Sequence, residues 1–241
     1  MPESRSSDNE LSFPPRSLSR IIDAVNQHPD PDSSCAREIV EVANVSADDL
    51  AGWTLFNYPT TDSYGRCLIH DGGFFELMAM CWRAGDYSAI HDHGHTQWGA
   101  VQIFGPAEHA VFHVDTDGIR TASIERITPG QVLPVNGQLV HQMGNPEESV
   151  TFVSLHLYGN VERATDITAD ARVFNLARNR IERTDGGVFY DLPQTAIKDC
   201  EPSPKPDQAT WRRDVELHAD RLRRANKPTA WIDSLLGNES V

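Results

Sequence analysis

The chain has 241 residues, with 21 Lys or Arg and 35 Asp or Glu, and so a formal net charge of −14 at pH 7. This balance argues against binding to nucleic acid or to an anionic membrane surface. It also means that an anionic small substrate must be held by a local positive group. No apolar run approaches the ~18 residues of a membrane span, and the first ten residues lack the apolar stretch of a signal peptide. We therefore expect a cytoplasmic protein with no membrane or nucleic-acid partner.

The N-terminal region has the spacing of short helices. Apolar residues recur every three to four positions over 17–27, which predicts an amphipathic helix. Residues 32–45 predict a second helix, with Ser33 or Ser34 as its N-cap. Residues 46–52 predict one further helical turn.

From Trp53 onward the pattern changes to short apolar or alternating runs that are separated by turn residues such as Pro129-Gly130. Many short strands at this spacing are typical of a β-sandwich or β-barrel. The runs lie at 74–82, 98–104, 109–114, 122–127 and 150–157.

The strongest feature is the pair His91 and His93, because side chains two residues apart on a strand point to the same side. A third ligand must come from elsewhere, and the surrounding spacing supplies one. Gly85 precedes the pair by six residues, and a second motif follows downstream. Its members are Gly130, Pro134, Gly137, His141 and Asn145.

These two motifs resemble those of the cupins. The resemblance implies a mainly β cupin fold, a double-stranded β-helix or jelly-roll barrel, with N-terminal helices and a C-terminal helical extension. Glycines and prolines would form tight turns at the barrel rim, and the histidines would project into its interior. His95, His109 and His113 have no motif support, and we interpret them as surface or barrel-wall residues.

No Asp or Glu follows His93 within the first motif, so the site differs from the two-histidine, one-carboxylate iron triad. A site of three neutral imidazoles leaves a divalent metal with its full charge. Such a site should favour an anionic ligand such as a thiolate.

A second polar cluster lies at 154–158, where Ser154, His156 and Tyr158 share one strand face and Leu155 and Leu157 take the other. We expect the leucines to pack outward. The polar face predicts a polar interior wall, since burying these groups without partners would be costly. The alternative is a purely structural hydrogen-bond network.

Together these pieces resemble the cysteine dioxygenase family of thiol dioxygenases, from about residue 53 to residue 158. The matching segments are 64–66, 80–82, 88–93, His141 and 154–158. The resemblance implies that His91, His93 and His141 bind Fe(II), with Ni(II) or another divalent metal as the alternative.

The same resemblance assigns the remaining site residues. Arg66 would pair with the substrate carboxylate, near Tyr64, and its planar fork suits bidentate binding. In related enzymes that act on 3-mercaptopropionate this position is usually glutamine, so Arg66 favours an α-amino acid thiol. The catalytic group around bound substrate would be Ser154, His156 and Tyr158.

One position departs from the family pattern. Five residues beyond the second histidine, mammalian members carry a cysteine that crosslinks to the tyrosine, and bacterial members usually carry glycine. That position is Trp98 here. We therefore expect no thioether to Tyr158, and an indole that reshapes the substrate pocket.

The expected activity is oxidation of a small carboxylate-bearing thiol by O2, most simply L-cysteine to cysteine sulfinate. The alternatives are a cupin oxygenase that gives another product or acts on another thiol, such as 3-mercaptopropionate, and a non-catalytic cupin that binds a metal or small ligand. The protein would be a monomer or a homodimer.

We predict a single structural domain with a helical segment at 1–52, a catalytic core at 53–160, and C-terminal strands and helices at 161–241. Within the last part, 201–206 is proline-rich and 208–225 has the composition of a packing helix. The four cysteines show no paired spacing, so we expect free thiols.

Overall fold

A computed structural model describes residues 14–28, 30–161 and 166–238. The α-helices within them are α1 (Arg16–Gln27), α2 (Ser33–Ala43), α3 (Gln208–Arg224) and α4 (Ala230–Asn238). Helices α1, α2 and α3 match the predicted ones, and a short 3-10 helix at Ala47–Trp53 forms the further predicted turn.

The predicted N-cap of α2 was wrong. Asp32 occupies that position with an extended backbone, and its carboxylate accepts a hydrogen bond from the Cys35 backbone N–H at 2.8 Å. Ser33 is already helical, and its hydroxyl donates instead to the Val135 carbonyl on a neighbouring strand. An aspartate one residue earlier therefore caps the helix, which leaves the serine free to join the helix to the sheet.

The described residues form eleven β-strands, and each of the five predicted strands is among them. The strands are β1 (Gly65–Asp71), β2 (Phe75–Trp82), β3 (Trp98–Ile103), β4 (Ala107–Asp115), β5 (Gly118–Ile127), β6 (Val132–Asn136), β7 (Val140–Gly144), β8 (Phe152–Gly159), β9 (Ala171–Asn175), β10 (Arg180–Thr184) and β11 (Asp199–Pro202).

The strands make two facing layers. One is a five-stranded sheet with the order β1-β2-β8-β3-β6, and its paired strands are antiparallel. The other contains β5-β4-β7 and β9-β10-β11, which are joined through His91 because this residue bridges both His141 on β7 and Val173 on β9. Two opposed antiparallel layers around one apolar interior form the double-stranded β-helix of the cupin fold, as expected.

Strand β8 lies in the middle of the first sheet and is buried on both faces. As predicted, Leu155 and Leu157 point outward, into an apolar cluster that includes residues of α1 and α2 such as Leu18 and Val40. Burying each leucine contributes about 1.5–3 kcal/mol. This packing holds the opposite, polar face of β8 against the barrel interior.

The C-terminal segment packs on the same barrel. Strand β9 extends the second layer, and α3 is fixed by Arg221, whose guanidinium lies 3.3 Å from buried Asp86 and also donates to the Thr60 carbonyl at 2.8 Å. Tyr58 donates to the other oxygen of Asp86 at 2.7 Å. Because breaking a buried pair on one side costs about 3–5 kcal/mol, this contact ties α3 firmly to the barrel.

The four cysteines are all free thiols, as predicted. Among the described helices, none is both long enough and apolar enough to cross a bilayer.

Candidate active site

Three imidazoles meet inside the barrel. His91 and His141 lie opposite each other, and each backbone N–H donates to the other's carbonyl at 2.9 Å. His93 follows two residues after His91, on the same side of the chain. All three side chains are buried, and their ligand atoms lie within 4.8 Å of one another. The backbone bridge between the two motifs therefore produces the predicted convergence.

The ring nitrogens show which atoms face the centre. Nδ1 of His91 is 2.8 Å from the Ala89 carbonyl, and Nδ1 of His141 is 2.7 Å from Nε2 of His109. The two Nε2 atoms of His91 and His141 are left facing each other at 3.2 Å. At this separation both Nε2 atoms could reach one ion at the usual metal–imidazole distance of ~2.1 Å.

His93 gives a further sign of a missing partner. It is buried, and neither of its ring nitrogens makes a hydrogen bond of normal geometry with any described residue. A buried polar group without a partner is costly. A metal ion bound by the three imidazoles would satisfy it, so the residues present fit a metal.

Burial keeps these imidazoles neutral. It lowers the pKa of His91 to about 4, and it lowers the pKa of His93 and His141 well below their usual value, with the neighbouring histidines adding to the effect. Neutral rings keep the lone pair that a metal needs. Asp92, between the first two histidines, is bound to Arg172 at 2.6 Å, which explains why the cluster contains no carboxylate.

The polar face of β8 forms a linear hydrogen-bonded chain. Trp82 Nε1 donates to Ser154 Oγ at 2.9 Å, Ser154 Oγ lies 2.7 Å from His156 Nε2, and His156 Nδ1 lies 2.7 Å from the Tyr158 hydroxyl. Burial, and then the charge of Arg66, lowers the pKa of His156 to about 3, so the ring is neutral. Burial raises the pKa of Tyr158, which keeps its hydroxyl protonated.

The hydrogen bonds from Trp82 to Tyr158 all donate in the same direction. Ser154 is fully buried, and its O–H has only His156 to donate to among the described residues, since Trp82 is itself a donor. The proton of the neutral ring must then sit on Nδ1 and point at the Tyr158 oxygen. The Tyr158 O–H is thereby left to donate into the cavity.

Arg66 lines the same cavity as the histidines and Tyr158. Its Nη2 lies 3.3 Å from the sulfur of Met78 and 3.5 Å from Thr168 Oγ1, and its buried Nε has no partner. Glu76 is near enough for its charge to interact with Arg66, but no carboxylate in the described part of the chain lies within ion-pair distance of the guanidinium. Tyr64 stands beside it and accepts a hydrogen bond from the Val188 N–H at 3.1 Å.

Comparison with known proteins agrees with this geometry. The family model described as cysteine dioxygenase type I matches residues 8–161, which is more than half of the chain. The chain belongs to the cysteine dioxygenase type I family. Human cysteine dioxygenase type 1 is 26% identical over 60% of this chain and 74% of its own length, and the zebrafish (Danio rerio) protein is 26% identical over 60% and 75%.

Among solved structures, a Klebsiella pneumoniae protein with a double-stranded β-helix domain covers 50% of this chain and 91% of that chain, with 13% identity and a TM-score of 0.35. For this member of the cysteine dioxygenase family, the fold assignment therefore depends on the strand order described above rather than on that superposition.

The expectation that Trp98 lines the pocket was wrong. In this family member its ring lies on the outer face of β3, packed against Gly159 and within the apolar cluster beneath the N-terminal helices. The turn before the strand, with Gly94 at φ +54°, starts β3 at Trp98 facing outward. Gly99 is the residue paired with Tyr158, and a Cβ there would lie 3.0 Å from the tyrosine ring. Glycine thus faces the tyrosine, and a thioether cannot form from this position.

His109 was interpreted as a surface or barrel-wall residue, and it lies on the wall strand β4, but the sequence did not show its contact with the site. Its ring is partly buried, burial lowers its pKa to about 4, and it contacts His141 directly. His95 and His113 are exposed, as expected for surface residues. His95 pairs with Asp170 at 3.3 Å.

Four further lining residues lie beyond the family match, and sequence reasoning missed them. They are Thr168, Ala171, Gly186 and Val188. None is a typical functional residue type, and they reach the cavity only because β9, the turn before it and the loop after β10 pack on the barrel. Gly186, with φ +117°, leaves space that a Cβ would fill at 2.8 Å from Arg66 Nη1.

Proposed function

We propose that this protein is a metal-dependent thiol dioxygenase that oxidises L-cysteine to cysteine sulfinate, with Fe(II) bound by His91, His93 and His141. The reaction RSH + O2 → RSO2H adds both oxygen atoms of O2 to sulfur, which loses four electrons as O2 gains them. No other co-reactant is required. The family and the three buried imidazoles support the class of reaction, and the cavity supports the choice of substrate.

The observation that carries the proposal is Arg66. A guanidinium without an ion pair among the described residues, inside a cavity of a protein with net charge −14, is a site for an anion. Its unpartnered Nε and its fork of donors suit a carboxylate. A small thiol acid held there would extend toward the three imidazoles, which share the cavity.

The bound metal would supply the site at which the thiolate and O2 become neighbours, which gives the advantage of proximity. Three neutral ligands add no negative charge, so an anionic sulfur is favoured at the centre. The chain's own residues hold the other end of the substrate through Arg66.

Tyr158 would act as the hydrogen-bond donor to the reacting groups. The order Trp82, Ser154, His156, Tyr158 leaves its O–H directed into the cavity, and the neutral His156 fixes the hydroxyl's orientation. Pre-oriented donors need no reorganisation during the reaction. Ser154 and His156 are positioning residues in this scheme.

The test uses purified full-length protein loaded with Fe(II), with metal content measured on the same sample. O2 uptake is recorded with cysteine, 3-mercaptopropionate and cysteamine, and products are identified by mass spectrometry. We expect cysteine sulfinate, and much weaker turnover of cysteamine because it lacks the carboxylate. Absence of thiol-dependent O2 uptake by the iron-loaded protein would contradict the proposal and favour a non-catalytic cupin.

A further inference from the structure

The contact between His109 and the candidate ligand His141 goes beyond the motifs that define the site. We propose that His109 is a positioning residue: it accepts the Nδ1 proton of His141 and so fixes which nitrogen of His141 faces the metal. This inference rests on the metal centre of the proposed function, but it does not depend on the identity of the thiol or of the product.

The geometry is set by strand pairing. His109 lies on β4, directly opposite Met143 of β7, and His141 is two residues away on the same strand. The two rings approach edge to face, with centroids 4.9 Å apart and planes at 74°. Nε2 of His109 reaches Nδ1 of His141 at 2.7 Å. The contact is thus built into the sheet rather than into a mobile loop.

The proton placement follows from the direction of the rings. Nε2 of His141 faces Nε2 of His91 across the candidate metal position. A ring that binds through Nε2 carries its proton on Nδ1, so His141 must donate and His109 Nε2 must accept. His109 then holds its own proton on Nδ1. Each ring thereby selects the tautomer of the other.

The three candidate ligands differ in this respect. His91 is oriented by the backbone carbonyl of Ala89, and His93 makes no hydrogen bond of normal geometry with a described residue. Of these three candidate ligands, only His141 is oriented by the side chain of another described residue. An acceptor behind a ligand imidazole raises the ring's basicity and holds its plane, and removing such a partner typically costs 10- to 100-fold in metal affinity.

The test compares three variants by anaerobic titration with Fe(II) alone, against a competing chelator and without thiol. His109→Leu removes the acceptor, and His109→Gln restores one through its amide oxygen. His113→Leu is the matched control, since it removes an exposed histidine from the same strand. Thermal unfolding of each variant monitors folding, and the His141 tautomer is read by nitrogen-15 NMR in protein loaded with diamagnetic Zn(II), where the nitrogen that binds the metal is distinguished from the protonated one.

We expect His109→Leu to lose about 10- to 100-fold in Fe(II) affinity and to lose the preference of His141 for a proton on Nδ1. His109→Gln should recover both properties, and His113→Leu should change neither. The same Fe(II) affinity and the same tautomer in His109→Leu as in the wild type would overturn the inference. A loss of affinity that glutamine does not restore, with the tautomer unchanged, would also overturn it, because it would show a packing effect only.

The outcomes also separate this inference from the proposed function. Wild-type protein that binds no Fe(II) would contradict the metal centre and with it the proposed function. Normal wild-type binding with an unaffected His109→Leu variant would contradict only the role of His109. Turnover of cysteine enters neither measurement.

Discussion

The cavity has two walls with different origins. One comes from the part of the chain within the family match and carries the reactive side chains, including the three histidines, Arg66 and Tyr158. The other comes from the segment after residue 161 and contributes Thr168, Ala171, Gly186 and Val188. The first wall offers imidazole, guanidinium and phenol groups, whereas the second offers small or apolar groups. Under the proposed function, the first wall performs the chemistry and the second limits the size and position of the substrate.

The largest effect should come from the reactive wall. His93→Ala removes an imidazole whose nitrogens make no hydrogen bond of normal geometry with a described residue, so we expect loss of bound iron and of O2 uptake. Metal analysis after anaerobic loading measures the first. His95→Ala, two residues away and exposed, is the control and should bind iron normally. Full iron content in His93→Ala would remove this residue from the ligand set.

Arg66→Ala tests substrate capture on the same wall. Charge-assisted hydrogen bonds contribute about 1.5–3 kcal/mol, so KM for cysteine should rise about 10- to 100-fold while iron content stays normal. Cysteamine has no carboxylate, and its KM should not change. Arg120→Ala, at an exposed ion pair with Asp115, is the control. Equal rises for both thiols would contradict a carboxylate contact.

Tyr158→Phe removes the hydroxyl that ends the series of hydrogen bonds starting at Trp82. We expect kcat to fall about 10-fold or more, since one charge-assisted hydrogen bond is lost, with KM and iron content little changed. Steady-state O2 uptake measures both constants. An unchanged kcat would reduce Tyr158 to a packing role.

The smallest effect should come from the second wall. Gly186→Ala introduces a Cβ 2.8 Å from Arg66 Nη1 at a residue with φ +117°. We expect KM for cysteine to rise a few-fold, roughly 3- to 10-fold, as backbone strain and displacement of the guanidinium cost about 1 kcal/mol. KM for cysteamine should stay constant.

Gly130→Ala is the matched control for that variant. Gly130 has φ +92° and open space around the position of a Cβ, and it does not line the cavity, so the substitution brings similar backbone strain without contact with Arg66. A rise in KM for cysteine in both variants would indicate a general loss of stability and would erase the distinction between the two walls.

The sequence predicted the reactive wall because its residues follow local periodicity. Ser154, His156 and Tyr158 share one face of β8 through the two-residue period of a strand. His91 and His93 converge as predicted, but they lie between β2 and β3, where His91 makes isolated β-bridges and His93 is outside any strand. The outward leucines of β8 follow the same rule. The cupin fold and the family were also accessible, since turn glycines and histidines occur at fixed spacings.

The predictions that failed depend on contacts between residues that are far apart in the sequence. Trp98 was predicted to face the pocket, but Gly99 faces it instead. The turn before β3 sets which side chain of the strand points inward first, and a shift of one residue reverses the direction of every side chain. His109 meets His141 only through the pairing of β4 with β7, which the sequence does not reveal. Gly186 and Val188 reach the cavity through packing of an extension whose residue types carry no chemical signal.

The measurement that tests the central claim most directly is sulfinate formation from cysteine under isotopically labelled O2 by the iron-loaded protein. The account predicts cysteine sulfinate in amounts equal to the O2 consumed, with both oxygen atoms of the sulfinate labelled. Cystine or hydrogen peroxide in place of labelled sulfinate would contradict it.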